Sequence, residues 1–203
     1  MNTLHAIDER DLDPDPLRQF ERWFDEARAR GVDVPEAMAL ATATPTGRPS
    51  VRMVLLKGAD GRGFAFYTND ESRKGGQLAA NPHAALLFHW QALGRQVRVE
   101  GGIERVPDEE ADAYFATRPH GSRLAAWASA QSRPVAGRAE LERLYAEAAS
   151  RYPGDDVPRP PHWGGFRLAP EAYEFWQHAE NRLHDRIRYE RAGTGWSRMR
   201  LAP

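Results

Sequence analysis

Between Ala37 and Val106 the chain is cut into short apolar, β-branched runs by clusters of turn-forming residues, a texture that suits an antiparallel sheet and not a helical bundle. Met38–Thr44 is followed by Pro45-Thr46-Gly47-Arg48-Pro49, then by Ser50–Lys57, the glycine-rich Gly58–Gly63, and Phe64–Thr68. Two hairpins in succession predict an antiparallel meander. Ser72–Ala80 reads as a short helix with Ser72 as its cap and Asn81-Pro82 as its stop. Two more strands follow, His83–Trp90 and Gln96–Arg105, with Leu93-Gly94 between them.

The flanks are helical. Residues 1–13 carry little periodicity and are expected to form a flexible arm ahead of a single domain over 14–203. Pro14 and Pro16 suit a helix start, and Leu17, Phe20, Phe24 and Ala27 recur at helical spacing before Gly31. After Pro107 the pattern predicts helices over Asp108–Thr117, Ser122–Ala130 and Arg138–Tyr152. The Pro-rich Val157–Pro161 then leads through Trp163-Gly164-Gly165-Phe166 into strands ending at Leu201. Six to eight strands with a helical insert imply an α+β fold, an antiparallel β-barrel with peripheral helices.

Charge and composition narrow the function. Lys plus Arg total 28 against 29 Asp plus Glu, a net charge of -1, which argues against a general nucleic-acid binder. The chain has no cysteine, so thiolate catalysis and Cys-based metal sites are excluded. Residues 1–20 lack the apolar core of a signal peptide, and no run approaches the ~20 apolar residues that span a bilayer, so a cytoplasmic protein with no membrane partner is the default. The seven histidines show no metal-ligand spacing. Gly58–Gly63 is followed by a strand, whereas nucleotide-binding glycines open a helix, so a hairpin turn is its reading.

Four clusters carry possible anion chemistry. In Arg182-Leu183-His184-Asp185-Arg186, strand alternation would put Arg182, His184 and Arg186 on one face, as either a solvated edge or an anion site. Arg52-Met53-Val54-Leu55-Leu56-Lys57 is an apolar strand with a cation at each end, which also suits a core strand with solvated tips. Ser72-Arg73-Lys74 sets two cations at a helix start, where unpaired N–H groups and the helix dipole attract anions. Tyr114, Arg118 and Ser122 are spaced by four, and Pro119 places them at a helix end or corner, where they would form a monophosphate cradle.

Together these blocks resemble the pyridoxamine 5′-phosphate oxidase family. The resemblance runs in order from about residue 16 to the last residue through Arg52–Lys57, Phe66–Thr68, Ser72–Lys74, Gln96–Arg98, Tyr114–Ser122, Gln131-Ser132, Trp163–Phe166, Glu174–Gln177, Arg182–Arg186 and Arg200–Pro203. It implies an FMN-binding split β-barrel homodimer with its active sites at the subunit interface. Members oxidise pyridoxamine 5′-phosphate or pyridoxine 5′-phosphate with O2 to pyridoxal 5′-phosphate and hydrogen peroxide, with ammonia from the amine. By carry-over, Arg52, Arg73 and Lys74 hold the FMN phosphate. Met53, Val54, Leu55, Leu56, Lys57, Tyr67, Thr68, Gln96, Gln131, Ser132, Trp176 and Arg186 surround the rest of FMN. Lys57, Tyr114, Arg118 and Ser122 would grip the substrate phosphate, Arg182, Leu183 and His184 would cover the substrate ring, and Arg182 and His184 would serve catalysis. No metal is implied. Thr44, Arg133-Pro134 and His120-Gly121 depart from the residues that relatives carry there. A phenazine-biosynthesis type of flavin oxidase, or a non-catalytic flavin- or haem-binding barrel, would share the fold.

Overall fold

The computed structural model describes residues 6–203. Nine strands form one curled antiparallel sheet: β1 (Ala37–Ala43), β2 (Pro49–Leu55), β3 (Gly58–Asp60), β4 (Gly63–Asn69), β5 (His83–Trp90), β6 (Arg95–Arg105), β7 (Trp163–Gln177), β8 (Asp185–Ala192) and β9 (Gly195–Arg200). Five helices surround it: α1 (Pro16–Ala29), α2 (Arg73–Ala80), α3 (Asp108–Ala116), α4 (His120–Ala128) and α5 (Arg138–Arg151). The α+β split-barrel expectation holds, with one strand more than the upper count.

The strand order, β2-β1-β5-β6-β7-β4-β3 with β8 on β7 and β9 on β8, overturns the meander. The two hairpins exist, but β2 and β3 stand at opposite ends of the order. The reason lies in Leu56-Lys57, which carries no turn-forming residue. Leu56 N–H donates to Glu36 O at 2.9 Å and Lys57 N–H to Ala65 O at 2.8 Å, so the chain leaves the β1 edge and joins the β4 edge without reversing. In effect β2 and β3 are halves of one bent strand, and their change of partner rolls the sheet. Gly58–Gly63 is a hairpin, but Gly58–Asp60 is already strand, and the turn narrows to Gly61-Arg62 with Arg62 N–H donating to Asp60 Oδ1 at 2.8 Å.

β7 is the central staple. Its first residues pair with β4, its last with β8, and β6 runs along nearly all of it. A register shift at Glu100/Gly101 bends the pair, and Gly101 is required there because a Cβ would lie 2.0 Å from Ala169 O.

α1 closes the barrel. Asp15 caps it by accepting from Leu17 N–H, Pro16 supplies its first turn, and the apolar stripe buries Phe20, Trp23, Phe24 and Ala27. Phe20 packs 4.9 Å from both Phe64 and Phe88, and Trp23 meets Phe175 edge-on at 5.2 Å. Of the expected arm, residues 1–5 lie outside the described residues. Ile7 N–H donates to Asp185 Oδ2 at 3.0 Å, Arg200 donates to Ile7 O and Glu9, and Arg198 donates to Leu12 O.

Candidate functional site

A cleft of about 770 Å³ opens between the β2 edge, β4, the start of α2, and the α3–α4 corner. One end is built on α2. Ser72 Oγ accepts from Gly75 N–H at 3.2 Å and caps the helix, which leaves Arg73 and Lys74 on its first turn. Lys74 Nζ donates to Thr68 Oγ1 at 2.8 Å and to Gln131 Oε1 at 2.6 Å. Arg52 reaches the same place from β2, donating to Leu40 O, Thr42 Oγ1 and Ser50 Oγ at 3.1, 2.6 and 2.7 Å. All these acceptors are uncharged, and none of the three cations pairs with a carboxylate among the described residues. Burial, then the like charge of Arg52, pulls the Lys74 ammonium down to about 8. Burial, then Arg73, lowers Arg52 as well. Three cations gathered beside a helix N-terminus form a local excess of positive charge that an anion would relieve.

The other end is the α3–α4 corner. Tyr114 lies in the last turn of α3, Arg118 in the link, and Ser122 in the first turn of α4, and all three line the cleft with Lys57. Pro119 separates the helices, and the corner that the sequence anticipates is present. Burial lowers the Arg118 guanidinium below its ordinary value. Its Nη1 is buried and has no hydrogen-bond partner among the described residues. Polar atoms are rarely left so, because each costs ~1–3 kcal/mol.

Met53, Val54, Leu55, Tyr67, Thr68 and Gln131 also line the cleft. Leu56 points instead into the core. Ser132 sits at φ +71 on the exposed connection after Gln131 and does not line the cleft.

The remaining predicted residues gather elsewhere. Gln96, Trp176 and Arg186 are cross-strand neighbours on β6, β7 and β8. Arg186 chelates the buried Glu174 through two bonds of 2.9 and 3.1 Å, and Arg98 holds the same carboxylate at 2.7 Å. The expected strand face of Arg182, His184 and Arg186 is corrected here. β8 begins only at Asp185, and Asn181 and Arg182 take left-handed backbone (φ 54 and 64) in a short 3-10 turn that breaks the alternation. Arg182 and Leu183 are exposed, while His184 packs 4.7 Å from Trp176 and 5.2 Å from His178. Ala179 N–H donates to His184 Nδ1 at 3.2 Å, so the neutral ring carries its proton on Nε2 and presents a donor. None of this second cluster lines the cleft.

Sequence reasoning missed several residues. Asn69, Thr117, Ser129 and Trp163 line the cleft, and Glu174 with Arg98 supports Arg186. The signal for Glu174 was present in its spacing, two residues from Trp176 and so on the same strand face.

A family model described as pyridoxamine 5′-phosphate oxidase matches residues 24–152, and one described as the pyridoxine 5′-phosphate oxidase C-terminal dimerisation region matches residues 163–203. The chain is 60% identical over 201 residues to a pyridoxine/pyridoxamine 5′-phosphate oxidase of Rubrobacter xylanophilus, covering 99% of this chain and 93% of that protein. It is 61% identical over 201 residues to the protein of the same name from Cupriavidus taiwanensis, covering 98% and 94%. Among solved structures, PhzG from Burkholderia lata 383, in complex with tetrahydrophenazine-1-carboxylic acid, aligns with a TM-score of 0.92 at 34% identity over 100% of both chains.

Proposed function

We propose that this chain, which belongs to the pyridoxamine 5′-phosphate oxidase family of FMN-dependent oxidases, oxidises pyridoxamine 5′-phosphate and pyridoxine 5′-phosphate to pyridoxal 5′-phosphate. Dioxygen is the final acceptor and hydrogen peroxide the co-product; the amine also consumes one water, which supplies the aldehyde oxygen, and releases ammonia. The observation that carries this reading is the pair of anion cradles in one cleft. Lys74 lines one end, with Arg52 and Arg73 beside it though not in the cleft wall, and these suit the phosphate of FMN; Lys57, Tyr114, Arg118 and Ser122 line the other and suit the phosphate of a substrate. A barrel that merely stored a flavin would need only the first.

The unpaired cations of the α2 end fit the cofactor's phosphate, and Met53, Val54, Leu55, Tyr67, Thr68 and Gln131 border the space beyond it. Bound FMN supplies the two-electron acceptor. The protein's residues supply position and charge. Clamping the substrate phosphate at Arg118 fixes the reach of the pyridine ring along the cleft, which removes most of the orientational freedom a free substrate would have to lose.

Gln96, Trp176 and Arg186, with Arg182, Leu183 and His184, are assigned to the same site through a second copy of the chain. Two features support this: residues 163–203 match a dimerisation region, and Val51 and Met53 on β2 are apolar yet 68% and 63% exposed beside the cleft. In that arrangement Arg182 stabilises negative charge near the reacting carbon, and His184 Nε2–H donates to a substrate oxygen or nitrogen.

The test is anaerobic. FMN-loaded protein mixed with pyridoxine 5′-phosphate should lose its flavin absorbance, regain it in air, and yield pyridoxal 5′-phosphate. A protein that stays yellow and oxidised refutes the substrate assignment and favours a reduced carboxylated tricycle of the kind bound to PhzG.

A further inference from the structure

The segment Trp163–Phe166 has no task in the site as assigned above, although Trp163 lines the cleft. Three aromatic rings lie almost parallel there. Tyr67 and Tyr114 are 4.1 Å apart at 16°, Tyr67 and Trp163 5.4 Å apart at 4°, and Tyr114 and Trp163 6.1 Å apart at 12°. The stack depends on Gly165: a Cβ there would lie 2.7 and 2.8 Å from two Tyr67 ring carbons and 2.9 Å from Val106 Cβ. Only a residue without a side chain lets Tyr67 lie flat against β7.

The same indole carries Arg118. The guanidinium carbon is 4.8 Å from the Trp163 ring centroid and 5.3 Å from that of Phe115, which itself meets Trp163 edge-on at 4.9 Å. No carboxylate pairs with this arginine among the described residues, and its buried Nη1 is unpartnered. Ring faces hold a guanidinium through its plane and leave its N–H edge available, which a carboxylate partner would not.

We propose that Trp163 is a positioning residue that sets specificity for a phosphorylated substrate, by holding Arg118 with its N–H edge open to the phosphate and by fixing Tyr114 through the ring stack. This rests on the reading of Tyr114, Arg118 and Ser122 as the substrate-phosphate cradle. Trp163 acts through Arg118, so its loss should weaken substrate binding while leaving the FMN end of the cleft intact.

The experiment measures pyridoxal 5′-phosphate binding to FMN-loaded protein by calorimetry, alongside KM, kcat, FMN affinity and melting temperature. Trp163→Leu is expected to weaken pyridoxal 5′-phosphate binding and raise KM by about tenfold, the scale of a half-buried cation–ring contact. FMN affinity should stay within about twofold, and the preference for phosphorylated over unphosphorylated pyridoxine should shrink by the same factor. Trp163→Phe keeps an aromatic face and with it the fold. It should lose about two- to threefold, and clearly less than that once Arg118 is replaced by Met, only the part carried through Tyr114 remaining. Unchanged ligand binding in Trp163→Phe and Trp163→Leu, a full additional loss in the Arg118→Met background, or a parallel fall of FMN affinity and melting temperature would each overturn the proposal. A wild-type protein that binds FMN but not pyridoxal 5′-phosphate would instead remove the substrate reading on which it stands.

Discussion

Raising the pH should loosen FMN from this protein through one side chain, Lys74. Its ammonium titrates at about 8 because it is half-buried and faces Arg52; its acceptors Thr68 and Gln131 are neutral. A phosphate dianion placed beside it favours the charged form, so its pKa in the complex returns toward the ordinary lysine value or above it. Between the two values, binding takes up a proton and the dissociation constant rises with pH. The protonated fraction of the unliganded protein falls from about 10/11 at pH 7 to about 1/11 at pH 9, so the constant should rise about tenfold over that interval and about thirtyfold by pH 9.5. The ligand's phosphate does not confound this, since a phosphate monoester loses its second proton near pH ~6. Titrating apoprotein into FMN at fixed ionic strength and following the quenching of flavin fluorescence measures the constant directly. Lys74→Arg keeps a charge that does not titrate in this range and should flatten the profile to within about twofold, whereas Lys74→Met should be weak and flat. A level wild-type profile, or an equal slope in Lys74→Arg, would refute the argument.

Two other expectations concern the second cluster. Glu174→Gln removes the buried carboxylate between Arg98 and Arg186 and leaves two partly solvated guanidiniums facing each other, a loss of about 1–2 kcal/mol, equivalent to a melting temperature lower by about 2–8 °C for a domain of this size; calorimetry showing no change would count against that pairing. For the shared site, Arg118→Ala and Arg182→Ala subunits, each inactive alone, should regain about a quarter of wild-type activity after dissociation and random 1:1 reassociation, because half the dimers are mixed and each mixed dimer has one intact site of two. No recovery would mean that both residues serve a site within one chain.

Local chemistry made much of the fold legible. Pro16 with Phe20, Phe24 and Ala27 announces α1, Ser72 announces α2, and Pro119 announces the corner that holds Arg118. What local chemistry does not encode is the choice of partner. Alternation along Ser50–Lys57 fixes which face each side chain takes, but a bent strand that changes partner at Leu56-Lys57 satisfies the same pattern as a hairpin edge. The left-handed turn at Asn181-Arg182 was hidden for another reason. Asparagine tolerates that backbone and arginine rarely adopts it, so the alternating Arg182, His184 and Arg186 imitated a strand through to its end.

The division of the site follows from β7. Trp163, at its first residue, stands in the cleft with Arg118, while Trp176, thirteen residues on, stands with Arg186. At ~3.3 Å per residue those ends lie up to about 43 Å apart along the strand. The family resemblance assigns Arg118 and Trp176 to one site, because it records order and not distance. Bending at Gly101 shortens the span without bringing the two clusters into one pocket. On the proposed function, the chain carries one half-site at each end of its longest strand, and an exposed apolar strip on β2 lies beside the first. A two-fold axis is the simplest operation that joins unlike halves from identical chains, since it presents each chain's Trp176 end to the other's cleft and uses every residue of both clusters twice.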